Sequence, residues 1–245
     1  TKIQVDSEDH GEFTVNAKLF AEIIRKMPSE DVSVEINDKL KATIKGGDAE
    51  YNILALSADD YPSMPDYDTS DSITISQGLL KNMIGQTIFA VSVSDNKPIL
   101  TGELFDIENG IFNLVAIDGF RLAVRTEKLN TEDRHHFVVK AKALSEVSKL
   151  LKDDGDDPVN MYLSRKHIVF DINGYMVISR LLEGEFHNYR SSIPASYETE
   201  ITVDTSALTR CLERCSLLIS GKYNAPVRCT FANGSLGVWC KTGIG

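Results

Sequence analysis

Residues Asn96 to Arg125 read NKPILTGELFDIENGIFNLVAIDGFRLAVR. Three short runs of alternating apolar residues lie in this stretch, separated by Asn109-Gly110 and Asp118-Gly119. Asn-Gly between alternating runs is the strongest short-range hairpin signal, because both turn residues must take positive φ. The third run puts Phe120, Leu122 and Val124 on one face and Arg121, Ala123 and Arg125 on the other. The stretch therefore predicts a three-stranded antiparallel meander with one face in a core.

Outward from the meander the chain repeats itself. GEFTVNAKLFAEIIRKMP, from Gly11, returns as HHFVVKAKALSEVSKLLK, from His135: Phe13 matches Phe137, Ala17 matches Ala141, and Lys18 matches Lys142. ITISQGLLKNMIGQTIF, from Ile73, returns as ITVDTSALTRCLERCSLL, from Ile201, and Asn109-Gly110 returns as Asn233-Gly234. Each half-unit reads strand, helix, then two or three strands. The first helix is predicted over 17–27, stopped by Pro28, with Leu19, Phe20, Ile23 and Ile24 as its apolar stripe. The second covers 78–91, with Leu80, Met83, Ile84 and Ile88 inward. The third carries Leu144, Val147, Leu150 and Leu151 and ends at DDGDDP; the fourth carries Leu208, Cys211, Leu212 and Cys215, with Asp204 or Thr205 as N-cap. Strand pairs turn at Asn37-Asp38, Gly46-Gly47 and Asn173-Gly174. Polar loops running to Pro65 and Pro194 separate the units. The expected class is α+β in three parts: 1–71, the second half of a first domain; 72–196, a complete central domain; and 197–245, the start of a third.

A chain of 245 residues with no run near eighteen apolar residues predicts substantial cores and no membrane span. The polar, acidic beginning is unlike a signal peptide, so the cytoplasm is the expected compartment. Four cysteines without a CxxC read as buried reduced thiols. No catalytic or metal constellation stands out. The five histidines form no HExxH pair, Gly221-Lys222 lacks the earlier glycine of a phosphate loop, and DDGDDP lacks calcium-loop spacing and reads as a solvated turn.

Net charge is −10, which by itself argues against nucleic acid, but the charge is unevenly placed. The helical stretches 17–28, 78–93, 140–152 and 205–218 hold ten basic residues: Lys18, Arg25, Lys26, Lys81, Lys140, Lys142, Lys149, Lys152, Arg210 and Arg214. Only Glu22, Glu146 and Glu213 oppose them. All four lean positive in an acidic chain, which points to a shared basic surface that binds phosphates without reading bases. A set of ordinary solvated helix faces is the alternative.

VAIDGFRLAVR and KPILTGELF, with FVVKAKALSEVSKLL and LLEGEFHNYRSSIP in order downstream, closely resemble the bacterial DNA polymerase III beta subunit, the sliding clamp family. The resemblance covers nearly the whole chain. It implies a three-domain clamp fold with helices inside and antiparallel sheets outside, of which half the first domain and most of the third lie outside this sequence. It implies a head-to-tail homodimeric ring around duplex DNA and no catalysis or cofactor of its own. Partners would be the replicative polymerase, the clamp loader and repair proteins, through short apolar peptides. Carried over by position, Lys18, Arg25, Lys81, Lys142, Lys149, Arg210 and Arg214 would face DNA, with Ser94, Lys97 and Pro98 from a loop. A peptide groove would use Leu100, Ile117, Gly119, Phe120, Arg121, Leu122, His187, Ser191 and Ser192, with Leu100 and Leu122 as walls and Gly119 leaving room for backbone approach. His187 stands where proline is common, Ser191 where a basic residue occurs and Phe120 where histidine is frequent. A peptide-binding adaptor that does not encircle DNA is the rival reading; a nuclease is a distant third, lacking a carboxylate or metal site.

Overall fold

The computed structural model describes residues 5–7, 9–59, 61, 67, 72–219, 225–232 and 234–243. The loop to Pro65, Gly221-Lys222 and Asn233 lie outside them. Two units result, 1–189 and 190–245.

The first unit opens with β1 (Phe13–Thr14), α1 (Ala17–Arg25), β2 (Ser33–Ile36), β3 (Lys41–Gly46), β4 (Ala49–Leu54) and β5 (Leu56–Ser57). The Asn16 side chain caps α1 by accepting from the Leu19 amide at 3.0 Å. β2, β3 and β4 form one antiparallel sheet, and β1 pairs with β5. The turn between β3 and β4 sits at Gly47-Asp48, one residue later than predicted, with Gly47 at φ +60°.

Next come β6 (Ser72–Ser76), α2 (Gln77–Thr87), β7 (Gly102–Glu108), β8 (Ile111–Ile117), β9 (Leu122–Lys128), β10 (His135–Lys140), α3 (Ala141–Leu150), β11 (Pro158–Leu163), β12 (His167–Ile172) and β13 (Tyr175–Leu182). Two strand–helix–three-strand half-units are thus complete. Their eight strands form one antiparallel sheet in the order β6-β11-β12-β13-β10-β7-β8-β9. The leading strands are exchanged: β6 pairs with β11 of the second half, and β10 with β7 of the first. Neither half closes its sheet alone.

Asn109 and Gly110 take φ +53° and +73°, and Asn173 and Gly174 +51° and +85°, as two-residue hairpins require. The meander departs from expectation in three ways. Pro98–Thr101 is a short 3-10 helix, so the first strand begins only at Gly102: Pro98 lacks an N–H to pair, and the Thr101 hydroxyl donates to its carbonyl at 2.7 Å. The turn before β9 takes four residues, so Phe120 is fully exposed rather than a strand residue beside Leu122. Both faces of the meander are covered, not one. Phe105, Ile107, Phe112, Leu114, Phe137 and Val139 pack with Leu80, Met83 and Ile84 of α2 and Leu144 and Val147 of α3. Leu104, Val115, Ile117 and Val138 carry Phe186 and Tyr189 from the segment after β13, on the opposite face. Each large side chain buried this way is worth about 2 kcal/mol.

The helices stop earlier than predicted. α2 gives way at Thr87 to a 3-10 turn, Ile88–Ala90, with the Thr87 hydroxyl donating back to the Met83 carbonyl at 2.8 Å. The acidic DDGDDP run is exposed but not simply solvated. The Asp157 and Gly155 carbonyls accept from the Gln77 and Gly78 amides at 2.9 and 3.0 Å, capping α2 from the loop after α3.

The second unit holds α4 (Thr205–Ser216), β14 (Arg228–Ala232) and β15 (Ser235–Trp239). Asp204 is the cap, accepting from the Ala207 amide at 2.7 Å. No strand forms over 201–203, where one was predicted; the equivalent β6 is held by β11, and no such partner is among the described residues of this unit. The cysteines are less buried than expected: Cys211, Cys215 and Cys240 are half-buried and Cys229 is exposed.

Candidate nucleic-acid and peptide surfaces

α2 and α3 lie on one face of the eight-stranded sheet, their apolar sides sharing one core. Between them runs a groove of about 320 Å³ lined by Gly78, Lys81, Asn82, Gly85, Gln86, Ser148 and Asp153. The cations of the four helices differ in availability. Lys142, in the first turn of α3, is exposed. Lys149 is exposed and pairs with Glu146 at 2.7 Å, a surface ion pair that a phosphate replaces at little cost. Lys81 is only 27% exposed: its ammonium donates to the Leu151 carbonyl at 2.9 Å and meets Asp153 at 2.8 Å, joining α2 to the end of α3. Lys81 is therefore a fastener between the half-units before it is a phosphate ligand. Lys18 and Arg25 are exposed at the two ends of α1. Arg210 and Arg214 are exposed on α4, where Arg214 donates to the Cys211 sulfur at 3.0 Å. Ser94, Lys97 and Pro98 lie in an exposed loop closed by the Ser92 amide donating to the Leu100 carbonyl at 2.8 Å.

The opposite sheet face carries the second candidate surface. Leu100, Ile117 and Leu122 come together there, partly buried or buried in one cluster with Ile99, Val124, Phe186 and Tyr189. Gly119, Phe120 and Arg121 form the adjoining turn. The Asp118 carboxylate organises it, accepting from the Phe120 and Arg121 amides at 3.0 and 3.1 Å and from Arg121 Nε at 2.9 Å. The Phe120 amide above all, then Arg121, holds the Asp118 carboxyl below the usual carboxylate range. Gly119 has φ +90°, and a Cβ there would meet nothing within 4 Å, so glycine is required by conformation rather than by crowding. His187 is exposed between the buried Phe186 and Tyr189, and Ser191 and Ser192 are exposed in the short helix Tyr189–Ser192.

Two residues here were not named as site residues from the sequence. Phe89, 57% exposed, lies beneath the Arg121 guanidinium at 5.8 Å and so fixes it from a second side. Asp118 was legible as an Asx turn, since Asp before Gly bonds its own backbone two residues on. Among the described residues no helix is long and apolar enough to cross a membrane.

Residues 74–188 match the family DNA polymerase III beta subunit, central domain, and residues 1–65 its N-terminal domain. The beta sliding clamp of Bacillus subtilis (strain 168) is 38% identical over 226 residues, covering 91% of this chain and 60% of that protein. A putative DNA polymerase III beta subunit from Eubacterium rectale ATCC 33656 superposes with a TM-score of 0.92 at 33% identity, covering 97% of this chain and 65% of the other. A sliding clamp from Pseudomonas aeruginosa, solved bound to griselimycin, gives 0.83 at 29% identity, covering 94% of this chain and 63% of the other. The chain spans about three fifths of the length of the curated relatives it matches.

Proposed function

The chain belongs to the DNA polymerase III beta-subunit family, and from that membership we propose that it forms part of a sliding clamp. The assembled clamp encircles duplex DNA without reading its sequence and tethers the replicative polymerase for processive synthesis. It catalyses nothing itself. Its contribution is topological, replacing repeated diffusional encounter by a high local concentration. The proposed assembly is a head-to-tail homodimeric ring in the cytoplasm, with the chain divided as 1–71, 72–196 and 197–245 among three clamp domains.

The observation that carries this reading is the repeated strand–helix–three-strand unit, with lysines and arginines exposed on its helices within an acidic chain. Lys18, Arg25, Lys142, Lys149, Arg210 and Arg214, with Ser94, Lys97 and Pro98, are proposed to meet phosphate; Lys81 joins them only through the charge left over from Asp153. Diffuse phosphate contact leaves a smooth energy profile along the duplex, which sliding needs. The double charge reversal Lys142→Glu with Lys149→Glu is expected to weaken duplex binding by this chain at least about tenfold at low salt. It should also flatten the dependence of log K on log salt by about 0.9 for each phosphate no longer neutralised. Binding isotherms across a salt titration check this, and an unchanged slope removes the basic helix face from the account.

The apolar surface of Leu100, Ile117 and Leu122, with the Gly119–Phe120–Arg121 turn, is proposed as the seat of partner peptides of the polymerase, clamp loader and repair proteins. His187, Ser191 and Ser192 are included on the family resemblance alone. Leu122→Asp is expected to lower affinity for griselimycin by about 10- to 100-fold, the loss of an apolar wall plus the cost of desolvating a carboxylate. Calorimetric titration measures it, with a cooperative thermal melt as the control for folding. Undiminished binding contradicts the groove. A peptide adaptor that does not close around DNA shares this surface but not the salt-dependent duplex binding.

A further inference from the structure

We propose that Cys215 and Cys240 are an oxidisable thiol pair, joined by a low-molecular-weight disulfide oxidant into a bridge that fastens the end of α4 to the end of β15. The inference is independent of the clamp reading.

The geometry is reciprocal. The Cys240 thiol donates to the Cys215 carbonyl at 3.3 Å, while the Cys215 thiol points back to the Val238 carbonyl at 3.7 Å. Cys240 Sγ thus lies against the Cys215 backbone, and Cys215 Sγ lies against the strand two residues before Cys240. Both are half-buried, so a small oxidant reaches them without unfolding. The competing pairings are poorer. Cys211 and Cys215 sit one turn apart on α4, and Cβ atoms at that spacing are about 5–6 Å apart, whereas a disulfide wants about 3.5–4.5 Å. Cys229 is exposed on β14, opposite Val238 rather than opposite a thiol.

The chemistry balances with glutathione disulfide as oxidant. One protein thiol loses its proton and its thiolate attacks a glutathione sulfur; a mixed disulfide forms and one glutathione thiolate leaves. The second protein thiol loses its proton and attacks the protein-bound sulfur of that mixed disulfide, releasing the second glutathione. Two protein thiols are oxidised, one disulfide is reduced to two thiols, and the two protons end on the released glutathiones. Partial burial, then the neighbouring Cys240 and Cys211, push the Cys215 thiol up from its ordinary value. The resting Cys215 thiol is therefore protonated and its attack quickens as pH rises.

The test equilibrates the purified chain in glutathione buffers of stepped redox ratio, quenches with acid, alkylates and maps the peptides by mass spectrometry. The expected product is a peptide containing Cys215 linked to one containing Cys240, two hydrogens lighter than the reduced pair, formed before Cys229 accumulates a glutathione adduct. Dithiothreitol reverses it, and Cys229→Ser leaves it unchanged. Cys240→Ser converts Cys215 to a stable glutathione adduct in place of the bridge. The proposal is overturned if Cys229 carries its adduct while Cys215 and Cys240 still alkylate across the whole range. It is equally overturned if the only bridges involve Cys211 or join two molecules.

Discussion

Gly102→Ala is expected to destabilise the chain by about 3–5 kcal/mol, a large fraction of the about 5–15 kcal/mol that ordinarily holds a domain folded. The backbone at Gly102, φ −125° and ψ 174°, suits any residue, so the demand is for space. A Cβ would lie 2.5 Å from the Val139 carbonyl oxygen and 2.8 Å from both Leu182 Cδ1 and Val138 Cγ1. The carbonyl belongs to β10, whose pairing with β7 exchanges strands between the half-units, so the obstacle cannot swing aside as a side chain would. Gly119→Ala, strained in conformation but unobstructed, should cost only about 1–2 kcal/mol. Urea unfolding of the two variants separates the cases, and a Gly102→Ala protein that melts like wild type contradicts this packing.

The neighbouring residue gives the second large effect. Glu103 is fully buried on the helix-covered face of β7, and neither carboxylate oxygen accepts a hydrogen bond. The adjacent Thr87 hydroxyl gives its proton to the Met83 carbonyl. Burial drives the Glu103 carboxyl up from 4.5 to about 8, with proximity to Thr87 offsetting a little. Folding thus takes up a proton between those two values. The folded state pays nothing for Glu103 ionisation below the unfolded value, loses stability as pH climbs, and carries the full penalty above the folded value. At about 1.4 kcal/mol per pH unit, wild type should lose on the order of 3–5 kcal/mol between pH 4.5 and 8 from this group. Glu103→Gln removes that slope, so the variant gains on wild type as pH rises. Urea denaturation of both proteins at several pH values measures the difference, and parallel stability profiles rule out a proton taken up at Glu103.

What could be read from residues alone was local. Asn109-Gly110 and Asn173-Gly174 announced their turns because positive φ at two adjacent positions restricts the choice of residue. The apolar stripes of α2 and α3 found their inner faces for the same kind of reason, since periodicity is a property of neighbours in sequence. The repeat was equally visible, but not the exchange of β6 and β10 between half-units, because partners some eighty residues apart for β6 and some thirty for β10 leave no mark on either strand. Burial of both meander faces was hidden for that reason: the second cover comes from Phe186 and Tyr189, far along the chain. Glu103 does leave a signal, since strand alternation puts it beside Phe105 and Ile107. At the candidate sites, Leu100, Ile117 and Leu122 were named and do converge, while the binding of Lys81 to Asp153 and the stacking of Arg121 on Phe89 depend on tertiary neighbours.

Encirclement of DNA is tested most directly by topology. This chain is built into the Bacillus subtilis beta sliding clamp in place of the matching residues, and the chimera is loaded onto nicked circular duplex by the clamp loader of that organism. Retention is then followed by gel filtration before and after one cut linearises the DNA. The clamp reading predicts a protein that stays on the circle at high salt and runs off once ends exist. Equal retention on circle and line, or release from both, contradicts it.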